Sequence, residues 1–197
     1  MIRQLQQMRC PVLMALVLAA ALAPAACGKE QPGAKEENVM TFAMTSLAFK
    51  NNERIPKQHT GEGADLSPVL EWAEPPAGTK AFALICDDPD APVGTWDHWV
   101  IWNIPVALRK LPEGIARTEK PADPAGAVQG KNSWPKDNIG YRGPMPPPGH
   151  GTHHYNFVLY ALDAPLELKA GANKKELLAA MKGHILGQAK LTGTYSR

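Results

Sequence analysis

The apolar residues of this chain are gathered in short runs of strand length, separated by polar segments rich in proline and glycine. Runs of this kind, with branched and aromatic side chains between turn residues, are typical of β-strands. We therefore predict six strands, with the sequences VMTFAMTSLAF (39–49), VLEW (69–72), KAFALICDD (80–88), DHWVIWNI (97–104), HHYNFVLYAL (153–162) and KLTGTYSR (190–197). The third strand is apolar nearly throughout, which predicts burial of both its faces.

One segment, NKKELLAAMKGHILGQA (173–189), has the periodicity of a helix, and Asn173 is placed to cap its first turn. Its apolar residues fall on one helical face: Leu177, Leu178, Met181, Ile185 and Leu186. Strands and helices do not alternate along the chain, so a parallel sheet with crossover helices is not indicated. We predict a mostly β protein, an antiparallel β-sandwich with one late α-helix and long Pro/Gly-rich loops, the longest over 105–152.

The N-terminal segment has the pattern of a secretory signal. A basic start with Arg3 and Arg9 precedes the apolar run VLMALVLAAALA (12–23), which is short for a membrane-spanning helix, and small residues then lead to Cys27. Small residues before a cysteine that glycine follows resemble a bacterial lipobox, in which the cysteine is lipidated. We therefore predict a signal peptide over 1–26, lipidation of Cys27, a polar tether over 27–39, and one folded domain over 40–197.

This organisation predicts an exported lipoprotein of the bacterial cell envelope, anchored to the membrane through its lipid and facing the periplasm. Pro24 stands where a lipobox usually has an aliphatic residue. Ordinary signal cleavage near Ala25 or Ala26 is therefore the alternative, and it predicts a soluble periplasmic or secreted protein.

The charge and cysteine content argue against nucleic-acid binding and against a structural disulfide. Residues 1–26 contain two basic side chains and no acidic one, while the whole chain has 21 Lys and Arg against 19 Asp and Glu, so the remaining chain is close to neutral. A neutral domain without a basic stripe is not expected to bind nucleic acid. Cys86 lies in an apolar strand, and we expect it to be a small buried side chain and not part of a disulfide.

The strand HHYNF carries two polar side chains that belong together. Because side chains alternate between the faces of a strand, His153 and Tyr155 share one side with Phe157, while His154 points to the other. His153 and Tyr155 therefore form a candidate pair.

Two further segments add histidine and carboxylates. Alternation places His98 on a face with Val100 and Trp102, and an imidazole in such apolar company needs a partner. DDPDAP (87–92) ends a buried strand with three carboxylates, and its two prolines restrict the backbone so that the acids are aimed in fixed directions.

These segments together resemble the signature of the phosphatidylethanolamine-binding protein (PEBP) family, in its bacterial Raf-kinase-inhibitor-like branch. The matching stretches cover roughly residues 40–197, and they are DLSPVLEW (65–72), GTKAFAL (78–84), DDPDAP (87–92), DHWVIWNIP (97–105), YRGPMPPPGHGTHHYNFVLYAL (141–162), MKGHIL (181–186) and LTGTYSR (191–197). The resemblance implies a β-sandwich with a pocket at one end for a small anion, such as phosphate, acetate or a phosphorylated head group.

Carried onto matching positions, the resemblance implies a set of pocket residues: Asp88, Asp90, Pro92, His98, Gly143, Pro144, His153 and Tyr155. The family's usual arginine before the tyrosine is replaced by His154, which lies on the opposite side of the strand. The extra prolines of MPPPGHG (145–151) lengthen or stiffen the rim, which bears on ligand selectivity.

An anion beside carboxylates needs compensating groups. We expect either a histidine made cationic by a neighbouring carboxylate or an acid that stays protonated, together with the Tyr155 hydroxyl and backbone N–H groups near Gly143. The proline-rich loop would fix these donors in advance. We predict an anion-binding or phospholipid head-group-binding protein without catalytic activity, metal or cofactor, and with no protein partner identified. Two alternatives remain: a metal-dependent hydrolase, and a kinase- or protease-inhibitor-type interaction module.

Overall fold

The computed structural model describes residues 39–197; the predicted signal peptide, Cys27 and all but the last residue of the tether lie outside the described residues. Nine strands, one 3₁₀-helix and one α-helix make up this part of the chain. They are β1 (Met40–Thr41), β2 (Met44–Thr45), the 3₁₀-helix (Lys57–His59), β3 (Leu70–Trp72), β4 (Ala81–Asp88), β5 (Trp96–Pro105), β6 (Lys110–Leu111), β7 (Val128–Gln129), β8 (His153–Leu162), α1 (Lys174–Met181) and β9 (Ile185–Tyr195).

The strands form two sheets packed face to face. The larger has six strands in the order β1-β9-β8-β4-β5-β7, and the smaller has three in the order β2-β3-β6. Aromatic and aliphatic side chains of both sheets share one core, which includes Leu70 and Trp72 from the smaller sheet and Phe82, Trp99 and Phe157 from the larger. The predicted β-sandwich is confirmed. Its strands pair antiparallel except that β1 runs parallel to β9.

The other face of the six-stranded sheet is covered by α1. Leu177 and Met181 of the helix pack with Ile85 of β4 and with Val100 and Trp102 of β5. Both faces of the central strands are therefore buried, as the nearly continuous apolar sequence of β4 predicted. Cys86 of β4 is a free, buried cysteine, and burial raises the pKa of its thiol well above the ordinary value.

The helix is shorter than predicted. Asn173 caps it as expected, in a capping box with Glu176, but it ends at Met181. Gly183 then adopts a left-handed backbone with φ of +81°, and Ile185 begins β9. The assignment of Ile185 and Leu186 to the helix is therefore wrong, because the glycine turns the chain and strand pairing with β8 takes over.

The first predicted strand also differs from the structure. Residues 40–45 form two short strands, because β1 pairs with β9 of the larger sheet and β2 pairs with β3 of the smaller one. The chain crosses from one layer of the sandwich to the other within these residues. Among residues 39–197, no helix has the length and apolar character that crossing a bilayer requires.

Candidate functional site

Five of the predicted pocket residues line a single cavity of about 310 Å³: Asp88, Pro92, His98, His153 and Tyr155. They meet because β4 lies between β5 and β8 and runs antiparallel to both. The last residue of β4 is therefore next to the first residues of its two neighbours. We call Asp88, His98, His153 and Tyr155 the floor of the cavity.

The position of His98 depends on an irregularity in the pairing of β4 with β5. Cys86 pairs with Trp99 and Asp87 pairs with Asp97, which leaves His98 as an extra residue in β5. Such a β-bulge interrupts the regular alternation of faces along the strand.

Because of the bulge, His98 lies on the same side of the sheet as Tyr155, and the centroids of their rings are 5.0 Å apart. The predicted face of His98 is wrong, since Val100 and Trp102 pack in the opposite core, under α1. The sequence carries no sign of the bulge, because no glycine or proline marks it. The need of this buried imidazole for a partner was predicted, and the carbonyl of Arg142 meets it at 2.5 Å from Nδ1.

Asp88 and His153 form a buried pair on the floor. His153 Nδ1 lies 2.7 Å from Asp88 Oδ2, and both side chains are at most 5% exposed. The other carboxylate oxygen, Oδ1, accepts the backbone N–H of Asp90 at 2.8 Å. Both oxygens of Asp88 thus have a donor, so the charge of the carboxylate is directed at His153 and at the turn that follows β4.

His98 is neutral at neutral pH. Burial lowers its pKa to about 4, although the carbonyl of Arg142 and the charge of Asp88 act in the opposite direction. Its Nδ1 carries the proton that is donated to the carbonyl, which leaves Nε2 as the acceptor of the ring. His98 therefore supplies a hydrogen-bonding group, and no positive charge, to the cavity.

Tyr155 brings a hydroxyl whose hydrogen-bonding capacity is unused within residues 39–197. Burial, followed by the charge of the nearby Asp88, raises the pKa of this phenol, so the hydroxyl stays protonated. Asp88 is close enough to influence the phenol, yet no hydrogen bond of acceptable geometry joins the two groups. A buried donor without a partner is costly unless a ligand or water completes it.

Apolar side chains form the wall of the cavity above the floor. The rings of Trp96 and Trp134 meet edge to face at 5.5 Å, and Trp134 also contacts the His98 ring at 4.9 Å. The remaining wall residues are Ala91, Pro92, Val93, Met145, Pro146 and Pro147. The proline-rich segment before β8 thus forms part of the pocket, as predicted. From the sequence, Trp96 and Trp134 are expected only as exposed aromatic residues near the pocket, since their spacing carries no motif that would mark them as lining residues.

Three predicted site residues do not line the cavity. Asp90 faces the exposed side of β8, where its carboxylate accepts the backbone N–H and Nδ1 of His154, each at 2.8 Å. Partial burial alone would raise the pKa of Asp90, but these hydrogen bonds from His154 lower it. The prediction that His154 points away from the pocket is confirmed. Asp90 points away from the pocket as well, because its carboxylate is hydrogen-bonded to His154.

Gly143 and Pro144 form backbone hydrogen bonds with residues 61 and 65, which do not line the cavity. The N–H of Gly143 donates to Asp65 Oδ1 at 2.6 Å, and the carbonyl of Pro144 accepts from Gly61 at 2.9 Å. A Cβ on Gly143 would lie 2.1 Å from the carbonyl oxygen of His59. The N–H of Gly143 itself is therefore not available to a ligand, because the carboxylate of Asp65, far away in the sequence, already accepts its hydrogen.

One polar residue at the site was not predicted. His150, in the loop before β8, places Nδ1 at 2.9 Å from Nε2 of His153. Its position three residues before His153 in an irregular loop gives no periodicity from which this contact could be inferred.

The described residues also bear on the metal-dependent alternative. Within 39–197, no group of three or more His, Cys, Asp or Glu side chains is arranged to hold a metal ion. Asp88 and His153 already bind each other, and Asp90 is turned away. The geometry therefore gives no support to a metal-dependent hydrolase.

Comparison with known proteins adds to this geometry. The family model described as phosphatidylethanolamine-binding protein matches residues 45–196. A UPF0098 protein of Pyrococcus horikoshii is 45% identical over 161 residues, which are 82% of this chain and 79% of the relative. A UPF0098 protein of Methanothermobacter thermautotrophicus is 49% identical over 150 residues, 76% of this chain and 95% of the relative.

Solved structures give the same result. The crystal structure of a PEBP homologue from Chlamydia trachomatis superposes with a TM-score of 0.69 at 38% identity, covering 81% of this chain and 99% of the other. That of Escherichia coli YbcL, described as a member of the mammalian PEBP family, gives a TM-score of 0.70 at 33% identity, covering 79% and 98%.

Proposed function

The chain belongs to the phosphatidylethanolamine-binding protein family, and from that premise we propose that its cavity binds a small anionic group, namely phosphate or a phosphorylated head group. The observation that carries the proposal is the convergence of the four floor residues on one cavity, with the Tyr155 hydroxyl left without a hydrogen-bond partner among residues 39–197. Binding, without turnover, is the role we assign to this site.

The floor offers donors and an acceptor that suit a partly protonated oxyanion. Tyr155 O–H donates to an oxygen of the ligand, and neutral His98 accepts from a P–OH group through Nε2. Inorganic phosphate keeps a P–OH group at neutral pH, whereas a phosphate monoester, whose second pKa is near 6, is mostly a dianion and offers its oxygens as acceptors. The apolar wall excludes water and strengthens these hydrogen bonds.

The carboxylate of Asp88 is the main objection to an anion site. Its charge is offset where His153 binds it at 2.7 Å, so a ligand meets a hydrogen-bonded pair and not an isolated carboxylate. Of the compensations expected from the sequence, a cationic His98 is ruled out at neutral pH by its lowered pKa. The compensation that we propose for the ligand's charge comes from the other hydrogen-bonded groups of the floor and their neighbours.

The test is binding of inorganic phosphate to the full chain, measured by calorimetry. We expect His153→Ala to weaken phosphate binding by about 10- to 100-fold, because the Asp88 carboxylate loses the hydrogen-bond partner that offsets its charge beside the ligand. His154→Ala is the matched control, because it lies next in the strand on the opposite face, and it should bind like the wild type. Equal affinity of the wild type and His153→Ala, with the fold intact by circular dichroism, would rule out this site.

Two further ligands separate the sources of the phosphate group. Phosphoethanolamine represents a free head group, and short-chain phosphatidylethanolamine represents an intact lipid. Binding of all three ligands with the same dependence on His153 would assign the common phosphate chemistry to the floor. If only the lipid binds, and neither phosphate nor phosphoethanolamine does, the apolar wall contributes more to the binding affinity than the floor does.

We also propose that the protein is exported and held at the membrane by a lipid on Cys27. The support is the basic, apolar and small-residue order of the N-terminal sequence, ending in cysteine and glycine. Export would separate the protein from cytosolic kinases, and this argues against the kinase-inhibitor alternative. The ligand is then one that occurs in the cell envelope.

A further inference from the structure

His150 and His153 form an imidazole pair at the edge of the floor. Their facing nitrogens, Nδ1 and Nε2, are 2.9 Å apart, and their ring centroids are 5.1 Å apart. The second nitrogen of His153 faces Asp88 at 2.7 Å. Both nitrogens of His153 are thus hydrogen-bonded. The hydrogen bonds form a row from the Asp88 carboxylate, through the buried imidazole of His153, to the imidazole of His150 on the loop.

Backbone hydrogen bonds hold the loop that carries His150. The N–H of His150 donates to the carbonyl of Pro147 at 3.2 Å, and the N–H of Gly149 donates to the carbonyl of Arg197 at 3.1 Å. The guanidinium of Arg197 donates in turn to the carbonyl of Pro146 at 3.3 Å. The loop is therefore fixed at several points around His150, which keeps its imidazole against His153.

The pair can accept one proton without losing either hydrogen bond. In its neutral form, His153 Nδ1–H donates to Asp88, and His150 Nδ1–H donates to His153 Nε2. One added proton enters at His150 Nε2, which is free of both bonds. The pair is then a cation, and its row of hydrogen bonds is unchanged.

The groups that face the pair come from several elements. Asp88 at the end of β4 contacts it directly, and Asp90 in the next turn is close enough for its charge to interact with His153. The other two floor residues, His98 of β5 and Tyr155 of β8, add no charge, since His98 is neutral and the Tyr155 phenol stays protonated. An arriving anion therefore adds negative charge to a site that already contains carboxylates, and this favours the protonated form of the pair.

Building on the proposed anion site, we propose that His150 is a positioning residue that couples anion binding to the uptake of one proton by the His150–His153 pair. By linkage, the affinity for the anion rises as the pH falls through the titration of the pair, because the protonated pair binds an anion more tightly. Without the second imidazole, His153 would hold its hydrogen bond to Asp88 and lose the adjacent site for the proton.

The first measurement follows the ring nitrogens of the histidines by ¹⁵N NMR in the full chain, between pH 5 and 8, with and without inorganic phosphate. We expect phosphate to move the titration of His150 and His153 to higher pH by about one unit, equal to about tenfold tighter binding to the protonated pair. Direct observation of the rings distinguishes a proton on the protein from a proton on the phosphate.

The second measurement compares phosphate affinity at pH 6 and pH 8 in variants. His150→Asn keeps an N–H donor near the position of Nδ1 but cannot take up the proton, and His154→Asn is the control on the exposed face. We expect an increase of about tenfold toward pH 6 in the wild type and in His154→Asn, and an increase smaller by several-fold in His150→Asn. The titration of phosphate itself cancels in this comparison, because every variant meets the same ligand.

The outcomes separate this inference from the proposed function. Phosphate binding with unchanged ring signals, or with the same pH dependence in His150→Asn as in the wild type, overturns the coupling and leaves the anion site in place. Absence of phosphate binding at every pH overturns both.

Discussion

His98 is a buried histidine that forms a hydrogen bond but carries no charge at neutral pH. It is 3% exposed, its Nδ1 donates to the carbonyl of Arg142, and burial lowers its pKa to about 4. The charge of nearby Asp88 does not overcome the loss of hydration. His98 therefore contributes hydrogen-bonding geometry, and no positive charge, to the floor of the cavity.

The neutral state of His98 predicts a loss of stability in acid. In the unfolded chain His98 binds a proton below pH 6.5, whereas in the folded chain it does so only near pH 4. The stabilisation is present above pH 6.5 and is lost as the pH falls toward 4, because the unfolded state binds more protons in this range. The expected loss at pH 4.5 is about 2–3 kcal/mol.

Urea unfolding at pH 7 and pH 4.5 tests this expectation. His98→Asn keeps a donor for the Arg142 carbonyl and cannot be protonated, so its free energy of unfolding should fall less between the two pH values than that of the wild type. His154→Asn should fall as the wild type does, since its imidazole is on the exposed face. Parallel losses in all three proteins would contradict a neutral, buried His98.

At the scale of secondary-structure elements, an ion cluster joins α1 to the sheet beside the site. Asp87 of β4 and Asp97 of β5 are directly paired across the sheet, and Lys174 in the first turn of α1 contacts both, at 2.5 Å and 3.1 Å. Burial raises the pKa of Asp97 although Lys174 opposes it. Two carboxylates face each other here, so the ammonium group is needed to hold them together.

Removal of this ammonium group should weaken the attachment of α1 to the sheet and so lower the stability of the fold. We expect Lys174→Met to lower the free energy of unfolding by about 2–3 kcal/mol at pH 7, because two partly buried carboxylates lose their partner. The difference from the wild type should shrink as the pH falls, because burial raises the pKa of Asp97 and its protonation relieves the repulsion. Lys175→Met, at the next and exposed position, should change stability little, and an equal effect of both substitutions in chemical unfolding would contradict the role of the cluster.

Local sequence predicted those elements whose pairing is regular. β4 and β8 match their predicted spans to within a residue, because apolar runs and alternation reflect burial directly. The helix was predicted too long because the apolar pattern continues through Gly183 into β9. The face of His98 and the partner of Gly143 could not be predicted, since a bulge depends on the neighbouring strand and Asp65 lies 78 residues away in the chain.

In the whole molecule, strands provide the hydrogen-bonding floor of the site, and loops provide most of the wall that decides which ligand fits. The floor residues stand at the ends of three neighbouring strands of a sheet that is buried on both faces, so they have little freedom to move. The wall comes from the segments 91–96, 134 and 145–147, most of them in loops. Changes of loop sequence should therefore alter which ligand fits, while the hydrogen bonds of the floor stay the same.

The N-terminal sequence adds a prediction about where this molecule works. If Cys27 is lipidated, the full chain expressed in a Gram-negative host should be recovered with the membranes and should incorporate labelled palmitate. Cys27→Ala should release it into the soluble fraction, because the acyl chains provide the membrane affinity, at about 0.8 kcal/mol for each buried methylene. Cys10→Ala is the matched control and should remain membrane-bound, since Cys10 lies within the predicted signal peptide. Recovery of the wild type in the soluble periplasm, without label, would instead favour ordinary cleavage near Ala25 or Ala26.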